Sequence, residues 1–276
     1  MTAGESALRD VAVKVAEEAA ELVRNAREAM VAGQRMPVET KSSDTDVVTA
    51  VDRASEDLIR RRLAELRPGE AVLGEEGGGA EGSGGEGEGD GVTWVVDPID
   101  GTVNFLYGSP VFAVSVAAQV AGRSVAGAVV EPASGRVWTA VRGQGAWLDG
   151  RPLRVSAPAR LEVTLLSTGF SYLSERRARQ ARVIEGLLSR VRDVRRGGSG
   201  ALDLCAVGAG WTDAYFEHGL NRWDWAAGAL VAAEAGAVVS LPGDDPGLGT
   251  DATFAAAPSI AAPLRDLLAA HGAKDV

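Results

Sequence analysis

The sequence predicts a mixed α/β fold in which sheets are layered with helices, and three observations predict it. Helix-period and strand-period apolar patterns alternate along the 276 residues. A stretch rich in β-branched residues in the first half is cut by turn signals into an antiparallel meander. The second half returns to short strands interleaved with helices, an ordering that packs as mixed sheets covered by helices. Hydrophobic residues make up 46% of the chain and only 5% are aromatic. A chain of this length and composition buries a sizeable core.

Taken in order, residues 6–30 carry Leu8, Val11, Val15, Ala19, Leu22, Val23 and Ala26 near helical spacing. A polar stretch at 41–52 follows, and a second helix over 53–66 uses Leu58, Ile59, Leu63 and Leu66 before Pro68 ends it. Two short apolar runs come next, at 71–73 and 94–96, and each ends in acid: Glu75 and Glu76 after the first, Asp97 after the second. Residues 77–91 between them are mostly glycine with added acids. Such a segment buries too little to offset its ordering entropy and reads as a flexible surface loop. Strands follow at 111–120, 124–130 and 137–141, with turns at Ala121-Gly122 and Pro132 to Gly135; Gly143 to Ala146 and Asp149-Gly150 break the chain again. The second half predicts a strand at 163–167, helices at 175–191 and 201–207, a strand at 213–217, a helix at 225–235, a strand at 237–240 and a terminal helix at 263–271. No repeat is present. A change of pattern near 150–160 divides the chain into a portion 1–155 and a portion 156–276 packed against it.

The formal charge is −10. A chain this acidic lacks the clustered basic face that nucleic acid requires, so direct nucleic-acid binding is not expected. Cys205 is alone, which forbids an intrachain disulfide and fits a reducing cytoplasm. Residues 1–28 mix charges with alanines and lack a signal-peptide core, and no stretch approaches the roughly 20 apolar residues that span a bilayer.

The carboxylates carry the chemistry. In Trp94-Val95-Val96-Asp97-Pro98-Ile99-Asp100-Gly101-Thr102, Asp97 sits where an apolar run meets a turn. Pro98 biases the residue before it towards extended backbone, and Gly101 permits turn geometry. Two carboxylates three residues apart then converge, and their repulsion is relieved by a hard cation such as Mg²⁺. The plain alternative is a turn whose aspartates bond local amides. Glu75-Glu76, Asp224 between Trp223 and Trp225, Asp44, Asp46 and Asp52 add more acids than such a turn needs. For Asp224 the plain alternative is the N-cap of the helix that follows.

With these motifs the chain resembles the inositol monophosphatase family of magnesium-dependent, lithium-sensitive phosphatases. The resemblance rests on Lys41-Ser42-Ser43 with Asp46 to Asp52, Gly74-Glu75-Glu76, the run Trp94 to Phe105, and Trp223-Asp224 followed by Ala226-Ala227-Gly228. These stand in family order from about 36 to 240. The resemblance implies a layered α-β-α-β-α sandwich, a homodimer and two or three Mg²⁺ ions per site. It implies that Glu75, Asp97 and the Ile99 carbonyl hold one ion. Asp97 would bridge to a second ion held by Asp100 and Asp224, and a third, weaker ion would lie near Glu75. Asp52 and Thr102 would orient the attacking water, and the amides of Gly101 and Thr102 would meet phosphate. Gly198, Ser199, Gly200, Glu217 and Asp224 would line the substrate pocket. His218 reads as a surface residue. Arg195-Arg196 could attract phosphate or pair with acids across a subunit contact. Inositol monophosphate leads among the substrates; histidinol phosphate, fructose 1,6-bisphosphate and 3′-phosphoadenosine nucleotides are the alternatives, and a role as an interaction protein is another. Asn104-Phe105 and Glu217-His218-Gly219 fit the inositol type better. Val103 stands where the family often has threonine.

Overall fold

The computed structural model describes residues 3–33, 38–40, 47–78 and 91–276. Lys41-Ser42-Ser43, Asp44, Asp46 and residues 79–90 of the glycine-rich loop lie outside the described residues.

Helix α1 spans Ala3–Val31. After the short paired strands β1 (Val38–Thr40) and β2 (Val47–Thr49), helix α2 runs over Ala50–Leu66. It starts three residues before the expected position because Thr49 caps it, its hydroxyl accepting from the amides of Val51 and Asp52. Seven strands form the first sheet in chain order: β3 (Ala71–Gly74), β4 (Val92–Asp100), β5 (Ala113–Val120), β6 (Arg123–Val130), β7 (Val137–Val141), β8 (Gly145–Leu148) and β9 (Arg151–Pro152). The β3–β4 pair is parallel and the rest is an antiparallel meander. Short α3 (Thr102–Tyr107) joins β4 to β5. The second sheet has the order β11-β10-β12-β14-β13, built from β10 (Leu165–Thr168), β11 (Asp193–Arg195), β12 (Ala214–His218), β13 (Val238–Ser240) and β14 (Ala252–Ala256). Its helices are α4 (Ser174–Leu188), α5 (Gly200–Gly208), α6 (Arg222–Glu234) and α7 (Ala261–Ala270).

The two-residue period of the strands assigns the layers. Trp94 and Val96 of β4 face the core shared with α1 and α2, where Ala12, Val15, Ala19, Val23, Ile59 and Leu63 are buried. Val95, between them, faces the opposite core with Ala201, Cys205, Ala227 and Leu230 of α5 and α6. Those two helices also cover one face of the second sheet, where Leu204, Val207 and Ala232 meet Tyr215 and Ala255. Ala214 and Phe216 of β12 point the other way, into a core closed by α4 and α7. The result is the layered α-β-α-β-α sandwich, with α5 and α6 as the middle layer.

Several expectations need correction. The apolar run at 94–96 belongs to a strand that continues through Asp97 to Asp100, with a register shift between those two residues, so the turn begins at Gly101 and not at Asp97. Strands β1, β2, β8, β9, β11 and β14 were not foreseen.

Candidate active site

Strand β4 ends at a cavity of about 380 Å³, lined by Glu75, Asp97, Ile99, Asp100, Gly101, Thr102, Gly198, Gly200, Glu217 and Asp224 among others. Oxygens of Asp97, Asp100 and Asp224 all lie within 4.8 Å of one another. Each arrives by a different local device. Asp97 accepts from the Ile99 amide at 3.0 Å across the β4 irregularity. The same carboxylate therefore both bonds a nearby backbone amide and lines the cavity. Asp100 accepts from the Ser199 hydroxyl and, at 2.8 Å, from the Ala201 amide at the start of α5. Asp224 is not the N-cap of α6: the helix starts at Arg222, and Asp224, one turn in, accepts from the Asn221 amide at 2.6 Å.

Crowding these acids has an electrostatic cost. Burial holds the Asp97 carboxyl well above the ordinary range, and Glu75, Asp100, Asp224 and Asp52 push it further the same way. Burial and its neighbours Asp100 and Glu75 raise Asp224 similarly. Asp100 is pushed up to about 6 by burial, against the opposing bonds from Ser199, Ala201 and Gly200. The charged groups acting most strongly on Asp97 are all carboxylates, so the donor set is oxygen-rich, buried and self-repelling. A hard divalent cation fits such a set. Glu75 stands outside the tight triple but lines the same cavity.

Thr102 opens α3 after Gly101, which has φ +95°; a Cβ there would meet the Val111 carbonyl at 3.0 Å and the Gly198 carbonyl at 3.1 Å. The Thr102 hydroxyl has two acceptors at 3.0 Å, Asp52 Oδ1 and the Ile99 carbonyl, and one proton to give. Asp52 is fully buried, and its other oxygen accepts from the Thr49 amide at 2.9 Å and from the Thr49 hydroxyl.

On the other wall, the Tyr215 hydroxyl donates to Glu217 at 2.5 Å. Burial raises Glu217 to about 7, opposed by that bond and by Arg196. Ser199 is buried, and its hydroxyl bonds Asp100 while accepting from the Leu202 amide. Gly198 and Gly200 line the cavity beside it. His218, read as a surface residue, is buried; its ring meets the Leu248 carbonyl at 2.8 Å and the edge of Phe216.

Glu56 and Asp203 were missed, and Asn104 was singled out without a structural role. Glu56, one turn after Asp52 on α2, is buried and accepts from the amides of Glu76 and Gly77 at 2.7 and 2.8 Å while pairing with Arg60. It pins the turn that carries Glu75, and its four-residue spacing from Asp52 was the available signal. Asn104 bonds the carbonyls of Val111 and Gly197, tying α3 to the glycine segment. Asp203 is buried close enough to Glu217 and Asp100 to feel their charge; burial and those two acids raise it to about 8.

The family model described as "Inositol monophosphatase family" matches residues 5–273. The "Inositol-1-monophosphatase" of Mycobacterium leprae is 55% identical over 265 residues, covering 92% of this chain and 90% of that protein. The "Nus factor SuhB" of Pseudomonas aeruginosa is 42% identical over 234 residues, 84% of each. Among solved structures, "Mycobacterium tuberculosis SuhB" superposes with a TM-score of 0.80 at 44% identity, over 97% of this chain and 98% of that one.

Proposed function

Because the chain belongs to the inositol monophosphatase family and is a phosphoric monoester hydrolase, we propose that it hydrolyses a small polyol or sugar phosphate monoester in a Mg²⁺-dependent reaction, with inositol monophosphate the leading substrate. The observation that carries this reading is the convergence of Asp97, Asp100 and Asp224 beside a Thr102 hydroxyl already bonded to Asp52.

Glu75, Asp97 and the Ile99 carbonyl would hold one Mg²⁺, and Asp97, Asp100 and Asp224 a second; by family likeness a third, weaker ion would lie near Glu75. When bound, Mg²⁺ supplies Lewis-acid polarisation of the phosphoryl oxygens and lowers the pKa of the attacking water. The chain's own groups do the rest. Thr102 donates its O–H hydrogen bond to Asp52, which leaves a hydroxyl lone pair to accept a hydrogen bond from the water and turn that water's lone pair towards phosphorus. Gly101 and Thr102 offer backbone amides to phosphate oxygens. Glu217 meets the alcohol's hydroxyls, with Gly198 and Gly200 giving the ring close approach to backbone while Ser199 keeps Asp100 in place. Residues 1–155 then carry most of the metal ligands, and residues 156–276 supply Asp224 and the alcohol contacts. By family likeness we expect a homodimer and inhibition by lithium.

The name of the Pseudomonas relative supports a second reading, a partner role in a transcription complex. The net charge of −10 argues that such a role would run through protein and not nucleic acid. The deciding experiment is phosphate release with Mg²⁺ and with EDTA from inositol 1-phosphate, histidinol phosphate, fructose 1,6-bisphosphate and a 3′-phosphoadenosine nucleotide. Mg²⁺-dependent release greatest with inositol 1-phosphate is expected. Preference for another ester moves the substrate, and no release from any of them overturns the reading.

A further inference from the structure

The cavity wall formed between β10 and α4 holds a cation that the proposed chemistry leaves unused. Arg176 lies in the first turn of α4 and lines the cavity with Phe170, Tyr172 and Leu173. Its Nη2 is 2.5 Å from Asp251, the residue before β14. Its buried Nε has no partner, and Nη1 makes no hydrogen bond among the described residues. A Cβ on Gly219, the residue after β12, would come within 3.0 Å of Nη1. Glycine at 219 therefore leaves room for the guanidinium, and Asp251 fixes one side of it. Such a fork, half committed, presents a preorganised donor to whatever enters.

Charge decides what that is. Asp251 neutralises Arg176. Arg196, a second arginine on the cavity, acts on Asp100, Asp203 and Glu217. His218, which feels both Arg176 and Asp251, is held towards its neutral form by burial. A second phosphate would meet no uncompensated positive charge at Arg176, whereas a neutral hydroxyl would meet an unused N–H.

We propose that Arg176 is a specificity-determining residue whose Nη1 donates to a hydroxyl on the alcohol part of the substrate, favouring polyhydroxylated phosphate esters over simple ones. The proposal rests on the hydrolase reading above.

The test compares wild type, Arg176→Ala and Arg176→Lys in Mg²⁺ on inositol 1-phosphate, phenyl phosphate and fructose 1,6-bisphosphate. Loss of one hydrogen bond from a charged donor should raise KM for inositol 1-phosphate about tenfold in Arg176→Ala. Its kcat, and both constants for phenyl phosphate, should stay near wild type. Arg176→Lys keeps the charge but not the fork, so its KM should rise in the same direction by less. Equal losses on phenyl phosphate would mark a structural role and overturn the proposal. So would an unchanged KM for inositol 1-phosphate in both variants, or a larger loss on the bisphosphate than on the monophosphate. If Arg176→Ala does not fold, Arg176→Lys alone decides by the same KM comparison. A wild type inactive on all three esters overturns the hydrolase reading itself. An active wild type with indifferent variants overturns the role of Arg176 alone.

Discussion

At Asp52 the two carboxylate oxygens go to different tasks. One takes the Thr49 amide and hydroxyl and closes the start of α2; the other takes the Thr102 hydroxyl in the candidate site. The orientation of Thr102 is thus fixed by a helix cap fifty residues earlier. Thr102→Val removes the hydroxyl at nearly constant volume. Its kcat should fall by about 100-fold, the scale on which a misplaced reacting group costs rate, with recovery in Thr102→Ser. A Thr102→Val enzyme with wild-type kcat would exclude this role. Asp97 couples the stability of the site to pH. A carboxylate whose folded pKa lies above its unfolded value binds more protons when folded, so stability falls as pH rises through that window. For Asp100, raised from 3.8 to about 6, the window is worth roughly 3 kcal/mol. Asp97 and Asp224 act in the same direction. In EDTA the melting temperature should therefore decline from about pH 4 upward through neutrality, and Mg²⁺ should restore it. Asp97→Asn should melt higher than wild type in EDTA at pH 7 yet show no turnover. Equal melting of the two across pH, or near-normal turnover of the variant, would refute the assignment.

At the scale of elements, the turn holding Glu75 is positioned from α2, because Glu56 takes the amides of Glu76 and Gly77 and the Arg60 guanidinium. Glu56→Ala strands two amides and takes the carboxylate partner from Arg60, which among the described residues keeps only the Val72 and Gly78 carbonyls. It should cost about 3 kcal/mol in chemical denaturation and raise the Mg²⁺ needed for half-maximal activity by about tenfold. A stability loss without a change in Mg²⁺ dependence would reduce Glu56 to a structural clamp. Nothing in the sequence marked Glu56 except its spacing from Asp52, since a glutamate on a helix ordinarily faces water. The same limit explains the strands that went unseen. β14 reads Ala-Thr-Phe-Ala-Ala and is buried throughout, so it shows no polar alternation. β8 and β9 are four and two residues long, and β11 is a three-residue edge strand, too short to display a period. Helices α1, α2 and α4 were legible because each turns one apolar stripe towards a single core. The Asp97 to Thr102 segment was legible for another reason: its donors are contiguous in sequence, so local chemistry alone exposes them. Arg176 and Asp203 act across elements and left no local pattern.

In the whole molecule, the middle layer decides whether the two sheets share one site. Helix α6 carries Asp224, while the start of α5 holds Asp100 through Ser199 and Ala201. The two helices approach closely at Gly228, where a Cβ would lie 2.7 Å from the Ala201 carbonyl and 3.0 Å from the Leu204 side chain. Anything larger than glycine must push α6 away from α5, and because interiors are close-packed that shift reaches the helix end. Gly228→Ala should therefore destabilise by about 2 kcal/mol through overpacking. It should also weaken the response to Mg²⁺ by separating Asp224 from Asp100, although residue 228 lies a full turn beyond Asp224. Ala233→Leu, on the exposed side of the same helix, supplies the control and should leave both quantities unchanged. Denaturation curves and Mg²⁺ titrations of activity on the two variants check this. If Gly228→Ala loses stability but titrates like wild type, the donors are held by their own caps, Asn221 for Asp224 and Ser199 for Asp100, and helix spacing does not set the site. If both properties move together, the carboxylate triple is a product of the layered packing, and the distance between the two sheets is itself a determinant of metal affinity.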